Sequence, residues 1–299
     1  MLVTLSERCQ GSSHQKDNKP LQDYCLATSD KLKTYAYALV ADGHGGEKYI
    51  RSDRGSEIAV RCAVQCTNEL LKQIYLYIPG KKQNLIKKNL ELLCVKISIR
   101  WKEEVIKHFN ENPLTEDELK QLEEQGLLIP IKEEDIPVLY GSTLLEAVYF
   151  EMFNFWFALQ IGDGKCAVIK ENDSVVFPSE LENEKLGFGV TTSLCSKNAP
   201  SEFRYVFGFE KINGISVMSD GLTDSFDAAK LPDFILNLKT NMMEDSKNTV
   251  SELKDFLPVL SEQGSGDDIS ISAIFSKKKL KVRNNIYIYV LPYVSTPLS

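Results

Sequence analysis

The 299-residue chain has no run of about 18 uninterrupted apolar residues, the length a membrane-spanning helix needs. It has no excess of basic charge: Lys plus Arg is 35 and Asp plus Glu is 42, so the formal net charge is −7. Nucleic acid and an anionic membrane both call for a concentrated basic surface, and neither is expected as a partner. There is no C-x-x-C pair among the seven cysteines, which argues against a zinc knuckle or a thioredoxin-like site. Their odd number, and the lack of a long apolar core in the first nine residues, predict a cytoplasmic protein without a secretory leader. Internal repeats and low-complexity linkers are absent too. With 43% hydrophobic and 26% charged residues, the composition excludes wholesale disorder. A single domain of this length can bury roughly 75% of its unfolded surface without disulfides or a structural metal.

What is present begins with two apolar strand-like segments, Tyr24 to Ser29 and Tyr35 to Ala41. Ala59, Cys62, Ala63, Cys66, Leu70 and Ile74 then recur at three- and four-residue steps, the spacing of a helix, until Pro79-Gly80. A second helical stripe runs through Ile86, Leu90, Leu93, Ile97, Trp101, Val105 and Phe109, and Asn112-Pro113 ends it. Residues 114–137 are acidic and read as an insertion. Beyond Gly141 the texture becomes β-rich, with strands predicted at Thr143 to Phe150, Phe153 to Ile161, Cys166 to Lys170, Ser174 to Phe177, Tyr205 to Phe209 and Gly214 to Ser219. Two short helices are expected within Ala228 to Leu238 and Val250 to Leu260. Further strands are expected at Ile269 to Phe275 and Asn285 to Val290, on either side of the basic run Lys277 to Lys281. Many strands with a helical pair inserted among them predict an α+β layered fold. One domain over 1–276 is expected, with 277–299 as a C-terminal extension adding a strand.

The chemistry lies where acidic residues meet strand ends. Asp42-Gly43 follows Val40-Ala41, Gly162-Asp163-Gly164 follows Ile161, Asp220-Gly221 follows Ser219, and Asp267-Asp268 precedes Ile269. One Asp-Gly at a strand end is ordinarily a turn. Four of them beside strongly apolar strands suggest converging carboxylates, which raise one another's pKa unless a cation neutralises them. Oxygen ligands without paired His or Cys suit Mg²⁺ or Mn²⁺ rather than zinc. The one C-x₅-R spacing, Cys94 to Arg100, falls within the second helical stripe and lacks glycine, so no cysteine-phosphatase loop is indicated.

These residues, taken in order, resemble the metal-dependent protein phosphatases of the protein phosphatase 2C type. The series is Gln22-Asp23, Val40-Ala41-Asp42-Gly43-His44-Gly45-Gly46, Gly141-Ser142-Thr143, Ile161-Gly162-Asp163, Ser219-Asp220-Gly221-Leu222-Thr223-Asp224 and Gly266-Asp267-Asp268. The resemblance implies a four-layer α-β-β-α sandwich, two antiparallel sheets packed face to face between helices, with two Mn²⁺ or Mg²⁺ ions at one end. By position, Asp42 resembles the carboxylate bridging both ions, and the Gly43 carbonyl a ligand of one. Asp220 and Asp267 match ligands of the other, and Asp23 the acidic residue near the metal waters. Asp163 and Asp224, with Asp220, match the positions holding a third ion in some members. His44 resembles the general acid for the leaving alkoxide, against the alternative of a structural histidine bonding a backbone carbonyl.

The sequence departs from the family at two places. No arginine precedes Asp23 to grip the phosphate bidentately; the stretch from Gly11 instead offers His14 and Lys19, as phosphate contacts or as plain exposed loop residues. Its Gly-x-x-His and Pro-x-Gln-Asp form resembles a bacterial branch. Asp268 stands where asparagine is usual. The activity implied is a serine/threonine phosphoprotein phosphatase acting on the target of a Ser/Thr kinase. The alternatives are a small phosphate-ester hydrolase and a pseudophosphatase serving as a binding module.

Overall fold

The computed structural model describes residues 1–32, 34–126, 131–181 and 191–277. Ten strands are present among them: β1 Leu2–Cys9, β2 Tyr24–Ser29, β3 Tyr35–Ala41, β4 Leu144–Phe150, β5 Phe155–Ile161, β6 Lys165–Lys170, β7 Val175–Val176, β8 Arg204–Gly208, β9 Ile212–Met218 and β10 Ile269–Ser276. They form two antiparallel five-stranded sheets, ordered β1-β10-β9-β6-β7 and β2-β3-β4-β5-β8. The long helices are α2 Ser52–Ile74, α3 Gln83–Glu111, α8 Leu231–Glu244 and α9 Ser246–Gln263. Shorter ones are α1 Ser12–Lys16, α4 Glu116–Glu124, α5 Ile136–Leu139, α6 Ala199–Glu202 and α7 Asp220–Thr223.

Strand β3 explains the layering. Its Ala36, Ala38 and Val40 pack between the two sheets, while Tyr37, Leu39 and Ala41 pack against α2 and α3. Side chains alternate across a strand, so a strand covered on both faces must be apolar throughout, which is why the sequence shows no alternation there. A third apolar cluster joins β10, through Ile269, Ile271, Ala273 and Phe275, to α8 and α9. Three cores separate four layers, the expected α-β-β-α sandwich. The stripe on α3 is buried from Ile86 to Val105 as predicted, and the indole of Trp101 donates to the Gly55 carbonyl of α2 at 3.0 Å.

Several boundaries differ from expectation. Phe153 ends a 3₁₀ turn, and Asn154, in the left-handed region at φ 47°, reverses the chain before β5. A tight hairpin between β4 and β5 requires that reversal, and asparagine tolerates it. Helices α8 and α9 are longer than predicted, and Asp245 separates them by accepting bonds from the amides of Lys247 and Asn248 at 3.1 Å. Strand β1 was not foreseen; its Leu2 to Cys9 pairs with Ser276 to Ile269 of β10. The Asn285 to Val290 strand, and the extension beyond residue 277, lie outside the described residues.

The acidic segment around α4 is docked against the loop before α2. Buried Arg51, just before α2, pairs both ways with Glu118 of α4, Nε to Oε1 at 2.6 Å and Nη2 to Oε2 at 2.8 Å. The amides of Gln121 and Gln125 donate to the Glu47 carbonyl, in the loop that follows the Asp42 motif.

Candidate metal centre

Register brings the acidic motifs to one end of the sandwich. Val40, near the end of β3, pairs with Leu145, and Leu144 pairs with Ile161 at the end of β5. Met218, the last residue of β9, pairs with Ile271 near the start of β10. Asp42, Asp163, Asp220 and Asp267 therefore lie at strand ends that share one edge of the two sheets. The amide of Asp42 donates to Thr143 Oγ1 at 2.9 Å, and its carbonyl accepts from the Thr143 amide at 2.8 Å, fixing the strand end. Gly43 must be glycine: a Cβ there would stand 2.6 Å from the Ser52 carbonyl oxygen and 2.7 Å from that of Gln22. Gly221 is crowded further, since its Cβ would lie 2.0 Å from the Asp268 carbonyl oxygen.

Asp23 is buried; its Oδ2 accepts from Ser270 Oγ at 2.6 Å, while Oδ1 has no hydrogen-bond partner. Burial, and then the charge of Asp268, push its pKa up to about 8. Burial raises Asp42 well above the usual carboxylate range, and Asp23, Asp220 and Asp267 add to the effect. Asp220 is raised by burial against the lowering effect of its bond with Asp42, with Asp163, Asp267 and Asp224 contributing further. Six of the predicted acidic residues thus form one electrostatic cluster, with Asp163 and Asp224 on its exposed rim. Among the described residues, the groups that shift Asp23, Asp42 and Asp220 most are neighbouring aspartates and serine hydroxyls.

Among the described residues no three His, Cys, Asp or Glu side chains are drawn in to metal-ligand distances. The donor set nevertheless fits a hard divalent cation, being oxygen alone, with an orphaned buried carboxylate oxygen on Asp23.

His44 is half-buried, with Nε2 2.8 Å from Ser193 Oγ and its ring tilted against Tyr49 at a centroid distance of 4.8 Å. Burial lowers its pKa, opposed by the charge of Asp163. His14 is not an exposed loop residue. It is buried in α1, its Nδ1 3.0 Å from Asp268 Oδ1 and its Nε2 3.5 Å from Asp267 Oδ1. The Asp268 carboxylate beside Nδ1 raises the histidine's pKa, against the lowering effect of burial. Lys19 is half-buried, and its Nζ donates to the Gly45 carbonyl at 3.0 Å, beside the His44 loop.

Asp268 acts as a clamp, which the sequence did not disclose. Its Oδ1 accepts from the Gly11 amide and its Oδ2 from the Gln22 amide, both at 2.6 Å. It thereby ties the segment carrying His14 and Asp23 to the segment carrying Asp267. The partners are 257 and 246 residues away, so no local pattern could have announced them.

The family model for protein phosphatase 2C matches residues 10–258. The chain belongs to the protein phosphatase 2C family. Solved structures share its fold at low identity. PppA, described as a key regulatory component of T6SS in Pseudomonas aeruginosa, is 16% identical with a TM-score of 0.55, over 92% of this chain and 97% of that one. The S. agalactiae serine/threonine phosphatase is 14% identical with a TM-score of 0.54, over 93% and 100%. The catalytic domain of the serine/threonine phosphatase PstP, solved with two manganese ions, is 13% identical with a TM-score of 0.51, over 92% and 97%. No curated protein matches the chain in sequence. Among the described residues no helix is long and apolar enough to cross a membrane.

Proposed function

We propose that this protein phosphatase 2C hydrolyses phosphoserine and phosphothreonine in proteins, with Mn²⁺ or Mg²⁺ as cofactor. The observation that carries the reading is the convergence of Asp42, Asp163, Asp220 and Asp267 on one end of the sandwich beside the buried Asp23, where burial and neighbouring carboxylates raise Asp23, Asp42 and Asp220. Buried carboxylates without partners cost several kcal/mol each, a cost that a bound dication offsets. Asp42 and the Gly43 carbonyl would hold one ion, and Asp42, Asp220 and Asp267 the other, with Asp23 beside them. Asp163, Asp220 and Asp224 are the candidates for a third. When bound, such ions supply Lewis-acid activation of water at a phosphate ester.

The chain's own groups have three tasks. Asp268, through the Gly11 and Gln22 amides, keeps Asp23 and Asp267 at one edge. Lys19 offers the phosphate a point charge, whereas His14, engaged with Asp267 and Asp268, orients the acidic edge. His44 delivers a proton to the leaving alkoxide. All seven cysteines are free thiols, which supports a reducing, cytoplasmic setting.

The test is hydrolysis of phosphoserine and phosphothreonine peptides against small phosphate esters, with and without Mn²⁺. Metal-dependent turnover with higher kcat/KM on peptides is expected. Turnover of small esters alone would make the protein a small-ester hydrolase, and Mn²⁺ binding without turnover a pseudophosphatase. His44→Gln should slow a phosphoserine peptide roughly 10²-fold more than p-nitrophenyl phosphate, whose leaving group scarcely needs a proton.

A further inference from the structure

Three segments distant in sequence enclose a groove of about 620 Å³. Helix α3 brings Lys102 and Ile106, one turn apart on the same face. The segment running into α5 brings Lys132 and Pro137, and the one before α6 brings Cys195 and Lys197. Pro137 is buried, Ile106, Cys195 and Lys102 are half-buried, and Lys132 and Lys197 are exposed. Glu133 and Glu134 complete the lining, so the groove holds three ammonium groups against two carboxylates, in a chain whose net charge is −7.

One hydroxyl joins this groove to the acidic edge. Ser193 Oγ stands 2.8 Å from His44 Nε2 and 3.2 Å from Cys195 Sγ. Lys48 continues the cationic lining toward the site. Its Nζ lies over the Tyr49 ring, 4.8 Å from the centroid, and that ring rests against His44. Burial raises the pKa of the Cys195 thiol, and Ser193, Lys48 and Lys102 oppose it, so both ammonium groups act on the same sulfur. Among the described residues, salt bridges hold Lys170, Lys211, Lys239 and Lys254 but none of Lys48, Lys102, Lys132 or Lys197. Lys102 Nζ donates to the Ser196 carbonyl at 3.0 Å. That bond pins the Cys195 segment to α3 and leaves two of the three ammonium N–H groups for a ligand.

We propose that the groove is a docking subsite for an anionic side chain of the substrate, a carboxylate or a second phosphate, within about four residues of the phosphoserine. The proposal rests on the reading of the protein as a phosphoprotein phosphatase. An extended peptide advances roughly 3.3 Å per residue, so a phosphate held at the acidic edge leaves a nearby side chain over the groove. Lysines that no carboxylate of the chain engages are free to receive that charge. Exposed lysines contribute roughly two- to fivefold each, and three together on the order of tenfold. Lys132 and Pro137 come from the acidic segment 114–137, which thereby takes part in substrate choice.

The test compares three phosphoserine peptides on the Mn²⁺-supplemented full chain. Their flanking residues are alanine in the first and glutamate in the second, while the third carries a phosphonate that cannot be hydrolysed. The glutamate and phosphonate peptides should show kcat/KM on the order of tenfold above the alanine peptide, mainly through KM. A gain for the phosphonate alone would assign the groove to phosphate, and a gain for both to either anion. The preference should shrink in about 0.5 M salt, which screens exposed charges. Lys132→Glu combined with Lys197→Glu should bring the ratio to one or below, whereas Lys132→Arg with Lys197→Arg should preserve it. Equal kcat/KM for all three peptides in the wild type, or a preference that survives the double reversal, would overturn the inference. A wild type that hydrolyses no phosphopeptide would sink the functional proposal instead. Fluorescence anisotropy of a labelled phosphonate peptide needs no turnover and would still decide the groove. Its binding should weaken about tenfold in the double reversal, and equal binding would count against the subsite.

Discussion

Two regions of the molecule draw carboxyl groups out of water, and they do so for different reasons. At the sandwich edge Asp23, Asp42 and Asp220 are raised by burial and by their neighbours' negative charge. In the middle of β4, Glu146 is fully buried against α2 and α3, with neither oxygen in a well-formed hydrogen bond. Burial alone pushes it up to about 7, against a weak lowering influence from Thr67. A solitary buried acid can relieve its burial by keeping a proton. A cluster that opens to solvent through Asp163 and Asp224 can be relieved by a cation. The first pattern belongs to the core, and the second is a site.

The largest expected effect breaks the cluster. Asp42→Asn removes a charge from the position proposed to touch both ions, so metal-dependent turnover should fall on the order of 10³-fold or more. Stability of the metal-free protein should stay level or rise, because one of several repelling carboxylates is gone. A Michaelis–Menten series with Mn²⁺, alongside thermal melts without it, checks both statements.

The core acid should respond to pH and not to metal. Glu146 binds its proton more tightly in the folded chain than in the unfolded one. Its contribution to stability is therefore full below about pH 4.5 and is lost as pH rises through about 7. Across that window the loss amounts to about 3 kcal/mol. Glu146→Gln should flatten this part of the stability profile, measured by denaturant unfolding at several pH values. An unchanged slope would mean that another group carries it.

The smallest effect concerns the rim. Lys19→Ala should raise KM for a phosphopeptide roughly two- to fivefold with kcat nearly unchanged, the size expected of a solvent-screened charge. Full kinetic curves for wild type and variant settle it, and identical KM values would remove Lys19 from phosphate binding.

Much of this was legible in the residues. The apolar runs of β3, β5 and β9 announced buried strands, and the Asp-Gly steps at their ends announced the acidic edge. Strand β1 was not legible because only Leu2 and Leu5 are buried, so it shows neither alternation nor a continuous apolar run. The placement of His14 was missed because its partners, Asp267 and Asp268, come from the far end of the chain. Ser193 carries no local signal either, since its contact with His44 spans 149 residues. Motifs encode which groups a site contains. Long-range pairing decides which of them face one another.

The most direct measurement is a calorimetric titration of Mn²⁺ into the metal-free wild type, Asp42→Asn and Glu146→Gln, paired with the melting temperature at saturation. Wild type and Glu146→Gln should bind Mn²⁺ alike and gain the same increment in melting temperature, because only binding to the native state moves it. Asp42→Asn should bind markedly more weakly and gain less. An Asp42→Asn variant that binds Mn²⁺ and is stabilised as fully as the wild type would contradict the assignment of the acidic edge as the metal centre.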